Sequence, residues 1–231
     1  MGRSWRRLWL RLSGDSVADT RNVPEMALNL ILRAREARGS VLALRDRCAE
    51  NIVTFANVHV AALRIVNVVD VTPITNCGVH VSVVGRDLTN FQLCILGSWT
   101  DYEMTPTLTA HFYLATFEFM NRWPQILFEK RAKMCLRQIR DDGFSDEVRD
   151  LNMRYEVVRN KWWPQLHAVR NNLAGHYDRD SSKLLGALAE MNLQSWLELA
   201  TGVNDLLLHT ASTLTLIGTE MKPLLERIAN E

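Results

Sequence analysis

The stretch HAVRNNLAGHYDRDSS, residues 167–182, gathers Arg170, Asn171, Asn172, His176 and Tyr177 around Gly175. On one unbroken helix, Arg170 and His176 are six positions apart and point about 120° away from each other. They converge only if the helix ends between them. Gly175 suits that end as the left-handed residue of a C-cap. The two side chains then bring complementary chemistry to one place. A guanidinium grips a phosphate with two parallel hydrogen bonds and offsets developing charge. An imidazole passes protons near neutral pH. Asn171 and Tyr177 are placed to orient the phosphate. In RNA the neighbouring 2′-hydroxyl is the nucleophile, so such a cluster needs no metal to cleave the chain. The plainer alternative is a helix cap in which Arg170 and His176 satisfy carbonyls of the last turn and complement its dipole.

The element that must carry this cluster is legible. Val148, Leu151, Tyr155, Val158, Trp162, Leu166, Val169 and Leu173 recur at steps of three and four, which places them on one helical face. Pro164 falls inside without changing the phase, so a kink is expected there rather than a break. Gly143 should close the preceding helix. Ser145 is the expected N-cap, with Asp146 and Glu147 in the first turn.

An arginine, a polar neighbour, a few residues and a histidine at the end of a helix resemble the motif of the HEPN superfamily. Arg170 matches its arginine, Asn171 its polar position and His176 its histidine, with five residues between Arg170 and His176. The resemblance covers mainly residues 145–215. It implies an all-α fold, a metal-independent endoribonuclease without a cofactor, and a homodimer in which two motifs share one cleft. It also implies a cytoplasmic setting in stress or phage defence, as in toxins held by an antitoxin or another effector partner protein. In one toxin branch a tyrosine stands two residues after the histidine; Tyr177 follows His176 directly, so that branch is poorly matched. Other members have lost catalysis, so the same resemblance also accommodates a non-catalytic helical interaction or assembly module with a degenerate motif.

Charge narrows where RNA would lie. The net charge is +1, so no global field favours nucleic acid or membranes. Residues 126–183 hold 12 Lys and Arg against 9 Asp and Glu, whereas residues 184–231 hold 2 against 6. Lys130, Arg131, Lys133, Arg137 and Arg140 are the candidates to track a phosphate backbone; a solvated helix face is the alternative. Trp162 and Trp163 pair a core position with one free to stack a base or cover an interface. His167, three before Arg170, is a candidate secondary proton donor. His59, His80, His111 and His209 show no metal-ligand spacing, and Walker, nucleophile-elbow and dinucleotide signatures are lacking. Cys48, Cys77, Cys94 and Cys135 are too scattered for a zinc site or disulfide scaffold, so buried free thiols in a reducing compartment are expected.

The remaining chain reads as a helical bundle with long, kinked helices. Apolar residues are 47% and charged residues 23%, a globular mix. Residues 25–231 form the expected single helical domain, its HEPN-like core mainly 106–231. Residues 1–24 are a basic, aromatic tail and linker: Trp5, Leu8, Trp9 and Leu12 alternate with Arg3, Arg6, Arg7 and Arg11. That pattern suits an amphipathic anchor at a membrane surface, a targeting peptide, or a start truly at Met26. No run is long and apolar enough for a transmembrane helix. A helix should start at Glu25, interrupted at Gly39-Ser40, and a second, very apolar one should cover 49–69. Residues 71–105 hold Pro73, Gly78, Gly85 and Gly97 and the alternating Val79, Val81 and Val83. They read as a short strand, a helix over 87–96, or an irregular insertion. One long helix kinked near Pro124 should follow. The last helices should span 183–229, with breaks at Gly202 and Gly218, a kink at Pro223, and a stripe from Leu184, Leu188 and Met191 to Leu224.

Overall fold

A computed structural model describes residues 25–63, 71–97, 104–127, 130–174 and 193–230. The described residues form six helices and no strand: α1 (Glu25–Leu63), α2 (Thr72–Gly97), α3 (Met104–Leu127), α4 (Lys130–Ile139), α5 (Ser145–Ala174) and α6 (Leu193–Asn230). The tail 1–24, His176, Tyr177, Leu184, Leu188 and Met191 lie outside them.

The five long helices close into a ring in the order α1, α2, α3, α5, α6 and back to α1. Neighbours run antiparallel, as side-chain pairings show. Cys48 and Phe55 of α1 meet Gly85 and Gly78 of α2. Phe91 and His80 of α2 lie near His111 and Arg122 of α3. Phe117 and Met120 of α3 meet Trp163 and Tyr155 of α5. Lys161 and Arg154 of α5 reach Glu198 and Asp205 of α6. A ring with an odd number of members must contain one parallel pair, and it is α6 with α1. There Arg47 donates to Ser212, Asn51 sits between the Ala211 carbonyl and Thr215, and Thr54 touches Gly218. The short α4 packs against α2, α3 and α6.

The expectation for residues 71–105 needs correcting. α2 is one helix from Thr72 to Gly97, with no strand at Val79–Val83. Its buried seam is Ile74, Gly78, Val81, Gly85, Leu88, Gln92 and Ile95, in alternating steps of four and three. Two of those positions are glycines and one is a glutamine, which hides the period. The glycines are points of closest approach. A Cβ on Gly78 would overlap the Phe55 ring, and one on Gly85 would fall 2.9 Å from the Cys48 sulfur. Large residues of α1 thus seat in gaps that α2 leaves for them.

Other expected breaks also vanish. α1 runs unbroken through Gly39-Ser40 and on to Leu63, so the two helices expected there are one. α6 continues through Gly202, Gly218 and Pro223. Gly202 faces Val158 at ordinary contact distance, so it too marks helix packing. Around Pro124, where one long kinked helix is expected, the described residues give α3 up to Leu127 and α4 from Lys130. The stripe of α5 holds: Leu151, Tyr155, Val158, Trp162, Leu166 and Val169 are buried, and α5 passes through Pro164 unbroken.

The turn from α4 to α5 is built differently from the expected Ser145 cap. Gly143 and Phe144 both take positive φ, 61° and 57°. Phe144 is fully buried, and its carbonyl accepts from the Val148 amide, so Phe144 rather than Ser145 holds the cap position. The Ser145 hydroxyl donates back to the Asp142 carbonyl. Arg140 binds the turn together. Its guanidinium lies 3.9 Å over the Phe144 ring and donates to Asp142 at 2.6 Å, to both oxygens of Glu147 at 2.8 Å and to Glu220 of α6 at 3.4 Å. Hydrogen bonds from Arg140 and the Phe144 amide hold the Asp142 carboxyl below its usual value of 3.8. Its contribution is therefore complete above the unfolded value and lost as pH falls through the lower folded value. Thermal melts of wild type and Asp142→Asn between about pH 5 and about pH 2 should show a gap in Tm that closes with acidification. A gap of constant size would remove the carboxylate from the turn's stability.

Cys48, Cys77 and Cys135 are buried as expected, but Cys94 is exposed on α2. Burial pushes the Cys48 thiol up to about 11 against a small opposing pull from Arg47, and pushes Cys77 up as well. At pH 8 a thiol with that value is thiolate in only about one molecule per thousand. Iodoacetamide should therefore label Cys94 in the native protein and leave Cys48 and Cys77 until denaturant is added, as peptide mass mapping would read. Prompt native labelling of Cys77 would contradict the α1–α2 packing.

Candidate functional site

α5 delivers Arg170 and Asn171 on its last described turns, both exposed. The Arg170 guanidinium donates to Asn171 Oδ1 at 3.3 Å, and Asn171 Nδ2 donates to His167 Nδ1 at 3.0 Å. An amide nitrogen can only donate, so His167 accepts at Nδ1 in this contact. The i to i+4 spacing of one helix makes that contact. Arg170 also stands 5.8 Å over the ring of buried Phe117 on α3. Among the described residues no carboxylate pairs with it.

Phe117 is the hub of a cluster of rings. Trp163 stacks on it at 5.0 Å, and His167 meets it edge-on at 6.0 Å. Arg159 lies 5.9 Å over Trp163. Next to Trp163, a cleft of about 360 Å³ opens between α3 and α5, lined by Asn121, Asn152, Tyr155, Glu156, Arg159 and Trp163. Its inner wall is fixed, because Tyr155 is buried and its hydroxyl donates to the Met120 carbonyl at 3.1 Å.

No family model, curated protein or solved structure matches the chain. Arg170, Asn171 and His167 are joined by hydrogen bonds, while His176 and Tyr177 lie outside the described residues. Lys130, Arg131, Lys133 and Arg137 are exposed on α4, whereas the Arg140 guanidinium is occupied by Asp142 and Glu147 beside the turn and by Glu220 of α6. Sequence reasoning passed over Phe117, Asn121, Asn152 and Glu156. They become visible only once α3 and α5 are set in register. Trp163, adjacent to a core tryptophan, was the one available signal. Among the described residues no cluster of His, Cys, Asp and Glu could hold a metal, and no helix is long and apolar enough to cross a membrane.

Proposed function

We propose that this chain is a non-catalytic helical interaction module that docks a second copy of itself along the outward face of α5. The observation that carries the reading is a row opposite the buried stripe: Met153 and Val157 are 54% and 69% exposed. Asn160, Pro164, Ala168 and Asn171 continue it, all exposed, at steps of three and four. That is the spacing of a helix–helix seam, and no described helix covers it. Asp146, Arg149, Asp150 and Lys161 flank the row with both signs of charge, so a second copy meets no field of one sign. Sedimentation should find a dimer at micromolar concentration, and Val157→Glu should give a folded monomer. A wild type that stays monomeric up to about 100 times that concentration would sink the reading.

A second reading is favoured by one observation, the exposed Arg170 with no carboxylate partner among the described residues. It is the metal-independent endoribonuclease of HEPN type, acting as a homodimer in the cytoplasm and in stress or phage defence. Arg170 would bind the scissile phosphate, His176 would move protons, and Asn171 and Tyr177 would orient them. Lys130, Arg131, Lys133 and Arg137 would track the RNA. Cleavage of labelled RNA in EDTA, ending in a 2′,3′-cyclic phosphate and lost in folded His176→Ala, is its expected result. Cleavage unchanged in that variant would leave the motif as a helix cap.

A further inference from the structure

The cleft between α3 and α5 is separate from the outward row, and its chemistry is unlike that of a packing gap. At about 360 Å³ it falls at the small end of the range for small-molecule sites, large enough for a base and its sugar. Asn121 and Asn152 bring two carboxamides that hydrogen-bond no other described side chain. Each offers donors and an acceptor on a flat group. Among the described residues Glu156 pairs only with Arg159, at 3.6 Å, which is beyond hydrogen-bond length and leaves its lone pairs available. The Trp163 indole is half-buried, backed on Phe117, and supplies a rigid aromatic wall. Such a lining disfavours an apolar guest, because two amides and a carboxylate would be desolvated without partners.

We infer that this cleft binds a guanine nucleotide. The base is flat and packs on Trp163. Its N1–H and 2-amino group are adjacent donors, the arrangement a single carboxylate accepts, and Glu156 takes them. Its O6 and N7 are acceptors for the Asn121 and Asn152 amides. Arg159, near both Glu156 and the indole, takes the phosphate at the mouth. Adenine lacks the adjacent donor pair, and a pyrimidine leaves part of the cleft empty. The site stands whether or not the α5 row docks a copy, because the row and the cleft use different faces of that helix.

Calorimetric titration of the full chain with GMP, AMP and ribose 5-phosphate tests the assignment. GMP should bind at least about tenfold more tightly than either of the others. Glu156→Gln should weaken GMP at least about tenfold and erase the preference over AMP, while Asn152→Leu weakens it with the thermal melt unchanged. Both positions are at least partly exposed, so neither variant threatens folding. GMP binding no tighter than ribose 5-phosphate, equal binding of AMP, or GMP binding untouched by both substitutions would each overturn the inference. Binding of a guanine-bearing RNA oligonucleotide without binding of GMP would overturn it as well, assigning the groove to a nucleic acid strand.

Discussion

Gly78→Ala is expected to lower stability by about 2–3 kcal/mol and Tm by roughly 5–10 °C, although alanine is ordinarily the better helix former. Two effects compete. Replacing a mid-helix glycine by alanine gains up to about 1 kcal/mol of helix propensity. At Gly78 the added methyl overlaps the ring of Phe55, which is fully buried and cannot swing into solvent. Relief therefore requires α1 and α2 to separate along a seam that is packed over many turns, and overpacking outweighs propensity. Gly39→Ala is the matched control, because a Cβ there meets nothing within 4 Å. It should raise Tm by about 2–4 °C. Phe55→Ala costs about 3–5 kcal/mol alone, but in that background Gly78→Ala should add almost nothing to the loss. Thermal melts of the four variants decide the matter. Equal Tm shifts at Gly39 and Gly78 would mean that the helices do not meet there.

That contrast explains what was legible in the sequence. The α5 stripe could be read because all of its positions are apolar and their spacing matches the helical period. Seam positions of α2 follow an equally regular period, yet Gly78, Gly85 and Gln92 carry no hydrophobic signal. Their fitness depends on Phe55, Cys48 and Asn204, far away in the chain. Gly202 and Gly218 read as breaks for the same reason: a glycine chosen for a close neighbour is indistinguishable, in one sequence, from a glycine chosen for a turn. The candidate site divides likewise. Arg170, Asn171 and His167 sit within about one turn of one helix, so their proximity could be read directly. Asn121 and Glu156 are brought to one cleft by the register of α3 against α5, which is set by long-range packing of Phe117, Trp123 and Tyr155.

Gln92→Leu and Asn204→Leu should each cost about 1–3 kcal/mol singly, and the double variant should cost less than their sum by about 1 kcal/mol or more. Gln92 of α2 and Asn204 of α6 exchange two hydrogen bonds, Nε2 to Oδ1 and Nδ2 to Oε1, both 2.8 Å long. Gln92 is buried and Asn204 half-buried, so removing Asn204 strands the Gln92 amide away from water and removing Gln92 leaves Asn204 short of two bonds, whereas removing both leaves an apolar contact across the ring. This pair ties two helices that face each other across the bundle rather than along its rim. Apolar seams tolerate sliding by a turn, because one leucine replaces another at little cost. A reciprocal amide pair does not, since a shift of one residue breaks both bonds. Asn51 acts similarly between α1 and α6, donating to the Ala211 carbonyl at 3.0 Å and accepting from Thr215 at 2.9 Å. The double variant should therefore recover stability yet lose register. In chemical denaturation that appears as a lower m-value, and in hydrogen exchange as faster amides along α2 and α6. Additive costs with an unchanged m-value would mean that apolar packing alone sets how α2 and α6 meet.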